Sequence, residues 1–105
     1  MIGEALKGHL DLLLLAVLSE GPAHGYAVIE SLRNRSGGTF DLPEGTVYPA
    51  LHRLESQGLL RSRWSEDSAR RKRIYQLTSK GQQALARHQE EWKRFSKAIN
   101  VTVGI

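Results

Sequence analysis

At Gly58 the apolar residues of this chain change their period, and that switch separates what can fold before it from what can fold after it. Upstream, Val47, Leu51 and Leu54 recur at i, i+4 and i+7, which lays a single stripe along a helix. Downstream, Leu60, Ser62 and Trp64 alternate with Arg61, Arg63 and Ser65. After the turn-like Glu66-Asp67-Ser68-Ala69, the residues Arg71, Arg73, Tyr75 and Leu77 alternate with Lys72, Ile74 and Gln76. Two period-2 runs around a polar turn predict a β-hairpin. Alternation assigns Trp64 to the core and leaves Arg70, Arg71, Lys72 and Arg73 on the tip and second strand.

Helical signals flank this hairpin. Leu10 to Leu18 is apolar nearly all round, as in a short buried helix, and Gly21-Pro22 stops it. His24 to Arg35 predicts a second helix, with Tyr26, Ile29 and Leu32 on one side and Glu30, Arg33 and Asn34 opposite. The third helix is expected from about Val47 to Gln57. Thr46 would be its N-cap, Pro49 would sit harmlessly in its first turn, and Gly58 would be its left-handed stop. Tyr48, His52 and Arg53 fall off its apolar stripe. Thr78 is placed to cap a last helix from Ser79 to Ile99 or a little beyond.

Charge is unevenly distributed. Residues 1–52 carry three basic and six acidic side chains, residues 53–73 carry seven and three, and residues 74–105 carry five and two. The basic cluster reads either as a polyanion-binding surface or as a solvated loop. With no cysteine among 105 residues, disulfide scaffolds, thiolate zinc sites and cysteine nucleophiles are excluded. His9, His24, His52 and His88 lack metal-ligand spacing, and no catalytic constellation or glycine-rich phosphate loop stands out. No enzyme, metal or cofactor is expected. The longest apolar run, Leu12 to Leu18, is too short to span a membrane, so a cytoplasmic protein is expected.

In the last helix Leu85, Trp92 and Ile99 are seven apart, with His88 and Phe95 between them at a and d spacing. Packing onto the chain's own core would give a similar pattern. A terminal helix this long overhangs so small a domain, which favours a helix–helix dimer seam of Leu85, His88, Trp92, Phe95 and Ile99.

These pieces describe a fold that is mainly α with a small β-hairpin: a winged helix-turn-helix in residues 1–78 and a dimerisation helix with its tail in residues 79–105. The sequence resembles the PadR family of transcriptional regulators over roughly residues 10–85. The resemblance is carried by Leu18 to Tyr26, by Glu44 to Glu55 with its Gly-Thr-Val-Tyr-Pro-Ala-Leu run, by Gly58-Leu59-Leu60, and by Arg71 to Gly81. It departs at Glu44, where the family often has a small residue or proline. The short C-terminal part is similar to the family's small subgroup, which keeps one dimerising helix.

The resemblance implies a homodimeric, sequence-specific repressor on a two-fold symmetric stretch of double-stranded DNA. Its implied DNA contacts are His24, Tyr26, Thr46, Tyr48, His52, Arg53, Arg70, Arg71, Lys72 and Arg73. Local packing offers alternatives: Tyr26 as a core aromatic, Tyr48 wedged sideways against the first helix or hairpin, and Arg53 paired with Glu55 or Gln57. In some relatives of the small subgroup, paired tryptophans stack on flat aromatic compounds between the subunits. Trp92 is similar in position, with Phe95 and Ile99 on the same wall, and it reads equally as an anchor of the seam. Two other functions compete: a small-molecule sequestering dimer, and a winged helix that docks proteins.

Overall fold

The computed structural model describes residue 6, residues 8–66 and residues 71–105. Three helices come first: α1 (Leu10–Leu18), α2 (Gly25–Arg35) and α3 (Glu44–Ser56). A two-residue strand, β1 (Ala23–His24), precedes α2; β2 (Leu60–Trp64), β3 (Arg73–Leu77) and α4 (Ser79–Val103) follow α3. The core is aliphatic. Leu14 and Leu15 of α1, Val28 of α2, and Val47, Leu51 and Leu54 of α3 are fully enclosed, joined by Leu60, Tyr75 and Leu77 from the sheet. The stripe expected on the third helix is therefore the face that enters the core.

The expected hairpin strands pair antiparallel, with Leu60 opposite Leu77, Ser62 opposite Tyr75 and Trp64 opposite Arg73. The hairpin continues past β2, where the Ser65 N–H donates to the Lys72 carbonyl at 2.7 Å. The sheet has a third member, however. Ala23 pairs with Tyr75 and His24 with Ile74, so the order is β1-β3-β2 and all pairing is antiparallel. His24 is both the last residue of β1 and the N-cap of α2, its Nδ1 accepting from the Ala27 N–H at 3.3 Å. It caps the second helix rather than opening it.

The third helix starts earlier than its sequence suggests. Pro43 is the N-cap, and its carbonyl accepts from the N–H groups of Thr46 and Val47. Thr46 is thus the third helical residue, not the cap, and Pro49 lies in the second turn. The Gly45 carbonyl there loses its i+4 donor, since proline has no N–H. Both residues are exposed, so water can take the donor's place.

Thr78 does cap the last helix: its hydroxyl accepts from the Gly81 N–H at 3.0 Å and donates to the Gly58 carbonyl at 2.7 Å. Gly81 is needed at this junction, because a Cβ there would stand 2.1 Å from the Leu59 carbonyl oxygen. The 25 residues of α4 make a rod about 37 Å long. Leu85, expected in the dimer seam, is only 7% exposed and completes the chain's own core. It falls in the second turn of α4, which still lies against the domain, and residues 86–105 contribute nothing further to that core.

Trp64, expected in the core, is 49% exposed. Alternation puts it on the helix-facing side of the sheet, but it lies at the far end of β2, at the opposite end from the buried Leu60.

Candidate nucleic-acid interface

Where α2 begins, α3 passes the sheet and β3 enters it, the surface forms a cleft of about 550 Å³. From α2 and its cap come His24, Gly25 and Tyr26, from α3 Glu44, Tyr48 and His52, and from the wing Arg71, Lys72, Arg73 and Tyr75. Expected DNA contacts from three separate stretches of sequence, His24 and Tyr26, Tyr48 and His52, and Arg71 to Arg73, thus share one surface.

Tyr48 anchors the arrangement. A Cβ on Gly25 would stand 2.2 Å from its Cε1, so only glycine at 25 lets the ring lie against the start of α2. The ring is wedged against α2 yet remains 36% exposed. Burial, and the Glu44 carboxylate one turn earlier, push the phenol above its ordinary value, so it remains a neutral donor at physiological pH. Tyr26 is 51% exposed and is not a core aromatic. His52 is exposed, with its ring centroid 6.4 Å from that of Tyr75. Tyr75 is buried and likewise pushed up, first by burial and then by Glu55.

Two of the expected contacts, Thr46 and Arg53, stand apart from this cleft. Thr46 is in the first turn of α3 and does not line it. Arg70 lies outside the described residues. Arg53 is engaged elsewhere: its Nη2 donates to Asp11 Oδ1 at 2.6 Å and its Nη1 to Oδ2 at 3.1 Å. The partner is on α1, not Glu55 or Gln57, and the bidentate fork holds the guanidinium even more firmly charged.

On the wing, Arg71 and Arg73 both lie over the Trp64 ring. Alternation sends Trp64 to the core and nothing local singles out Asp11, because the surroundings of each are set by a neighbour from another element. An exposed, neutral-donor and cationic surface beside a helix that can enter a groove suits a phosphate backbone. Among the described residues, no group of three or more His, Asp or Glu is arranged to hold a metal ion. No helix among them is long and apolar enough to cross a membrane.

The family profile of PadR-like transcriptional regulators matches residues 14–87. The chain belongs to this PadR-like family. Its members are DNA-binding transcriptional regulators and not enzymes. The PadR-like chain is 31% identical to Transcriptional regulator Rv3488 of Mycobacterium tuberculosis, covering 91% of this chain and 87% of that protein. It is 33% identical to Transcriptional regulator YqjI of Escherichia coli over 88% of its own length, but spans only 43% of that longer protein. Among solved structures, a PadR family regulator from Clostridium difficile superposes with a TM-score of 0.81 at 33% identity, covering 91% of this chain and 99% of that one. One from Eggerthella lenta gives 0.86 at 32%, covering 98% and 88%. The Eggerthella lenta match covers 98% of this chain and so takes in nearly all of α4, which makes the winged helix and its terminal helix one architecture shared with that structure.

Proposed function

We propose that this PadR-like regulator is a repressor that acts as a homodimer on a two-fold symmetric operator, in the cytoplasm where such DNA lies. Residues 1–78 do the reading and residues 79–105 the assembly. The observation that carries the reading is the overhanging half of α4, where Trp92, Phe95 and Ile99 present one exposed apolar stripe, 43%, 53% and 41% accessible. Large apolar side chains that stay about half exposed along a helix, with only the His9 end of α1 against them, are suited to a second copy. His88 and the stripe form the seam, and Leu85 serves the core beneath it.

Each subunit then offers its cleft to one half-site. Tyr48 and His52 of α3 face the groove, His24, Tyr26 and Thr46 flank it, and Arg71 and Lys72 form the cationic edge along the phosphates, with Arg73 behind them. A planar aromatic compound fits at the seam against Trp92, Phe95 and Ile99. The edge-on packing of His9 against Trp92, centroids 5.0 Å apart, links that wall to the N-terminal end of α1. A ligand that prefers one dimer geometry would change the separation of the two reading helices, and operator DNA would change ligand affinity by the same factor.

Analytical ultracentrifugation of the wild type and of Trp92→Asp and Ile99→Asp tests the assembly. Dimeric wild type with monomeric or aggregated variants supports it, and unchanged dimers of both variants overturn it. Titration of planar dyes against the wild type and Trp92→Ala, with and without duplex DNA, tests the effector site. Equal affinity for both proteins removes it.

A further inference from the structure

Trp64 is placed where it adds nothing to the core, yet it has two charged neighbours. The Arg71 guanidinium lies 4.9 Å from its ring centroid and that of Arg73 5.1 Å away. The two arginines are otherwise in different surroundings. Arg73 Nε donates to Ser62 Oγ at 2.8 Å, and its Nη2 lies 3.8 Å from the Glu55 carboxylate on α3. The Ser62 hydroxyl donates to the same carboxylate at 2.5 Å, closing a triangle between helix and wing. Arg71 has its place over the ring and, among the described residues, no carboxylate within 4.0 Å.

We infer that Trp64 is a positioning residue for nucleic-acid binding: its ring is a platform that presents Arg71 to a phosphate, while Arg73 acts as a strut between the wing and α3. The inference rests on the cleft facing DNA as proposed above. An arginine free in solvent loses rotamer freedom when a phosphate captures it. Stacking on an aromatic face takes up part of that loss before DNA arrives, and it leaves the in-plane N–H fork open to phosphate oxygens. The charge of Arg73 is engaged by Glu55, and its geometry fixes the wing's distance from α3.

The test is fluorescence anisotropy with a mixed-sequence DNA duplex across a salt series, on the wild type, Trp64→Ala, Trp64→Phe, Arg71→Ala and Arg73→Ala. Trp64→Ala should weaken binding about two- to five-fold at every salt concentration without changing the salt slope, and Trp64→Phe should restore most of it. Arg71→Ala should reduce the slope by about 0.9, one phosphate contact, while Arg73→Ala should weaken binding and leave the slope intact. If the wild type does not bind the duplex at any salt, the orientation of the cleft is wrong. If the wild type binds and Trp64→Ala binds equally well, the platform is wrong. If Arg73→Ala flattens the slope as Arg71→Ala does, the strut is wrong. Should Trp64→Ala not fold, the Trp92→Phe protein, once ultracentrifugation shows its assembly to match the wild type, leaves Trp64 as the sole tryptophan. Its emission should change both on adding duplex and on Arg71→Ala, and silence in both would overturn the platform.

Discussion

Arg53 of the third helix and Asp11 of the first, 42 positions apart in sequence, are joined by two hydrogen bonds of 2.6 and 3.1 Å in a bidentate fork. The arginine best suited by type to grip a guanine edge instead fastens the reading helix to α1. Arg53→Ala and Asp11→Asn should each destabilise the fold slightly. A double-mutant cycle by thermal or urea unfolding should give a coupling of about 0.5–1 kcal/mol for this half-exposed pair. Additive effects would show that the pair contributes nothing. Binding-site selection with Asp11→Asn should return the wild-type motif if Arg53 acts through the fork, and an altered motif if it reads a base.

The contact between Gly25 and the Tyr48 ring makes a second test. Gly25→Ala introduces a methyl at 2.2 Å from Tyr48 Cε1 and must push the ring out of the cleft. Overpacking of this kind costs about 1–3 kcal/mol. DNA affinity should fall with it, and Tyr48→Ala in the same chain should recover the stability but not the affinity. Unfolding midpoints and duplex titrations of the three proteins check this.

Glycines at 81 and 45 should respond in opposite directions. A Cβ at Gly81 meets the backbone carbonyl of Leu59, which cannot swing aside, so Gly81→Ala should lose more stability than Gly25→Ala. Gly45 has open space around its missing Cβ, and it lies in a helix. Gly45→Ala should therefore gain about 0.5 kcal/mol by restricting the unfolded chain. Denaturant midpoints for both variants decide the matter.

The tyrosines set the alkaline limit of stability. Tyr48 and Tyr75 are neutral acids whose folded-state values are raised above the ordinary 10.0. Below the unfolded value both states hold the proton and nothing is gained or lost. As pH rises past it, the unfolded chain releases protons first, so stability should decline from about pH 10 upward. Tyr75→Phe should flatten that decline. A pH series of unfolding midpoints, with the tyrosinate absorbance band followed in parallel, measures it.

The parts legible in sequence were those written by a local period. Val47, Leu51 and Leu54 identify the buried face of α3 without reference to anything outside that helix, and the alternation from Leu60 to Leu77 marks the two strands that pair in the hairpin. The cleft was legible residue by residue, but its unity was not, because only the tertiary fold brings His24, Tyr48 and Arg71 together. β1 escaped notice because two residues carry no period, and its partners lie some fifty positions away. Trp64 was misplaced because alternation reports which face a side chain takes and not how deep it lies. The start of α3 was misjudged between two residues that can both begin a helix, Pro43 and Thr46. The apolar stripe has no bearing on the first turn, so it could not decide between them.

The order of the sheet has a consequence for synthesis on the ribosome. β3 is the last strand to be made, yet it occupies the centre, with β1 and β2 at its edges. Until Arg73–Leu77 has left the exit tunnel, neither edge strand has anything to pair with, and the strand carrying the cap of α2 is untethered. The seam residues of α4 follow it in the chain. If α4 joins two copies as proposed, the nascent chain pairs with its own central strand first, and each subunit can complete its sheet before that assembly begins.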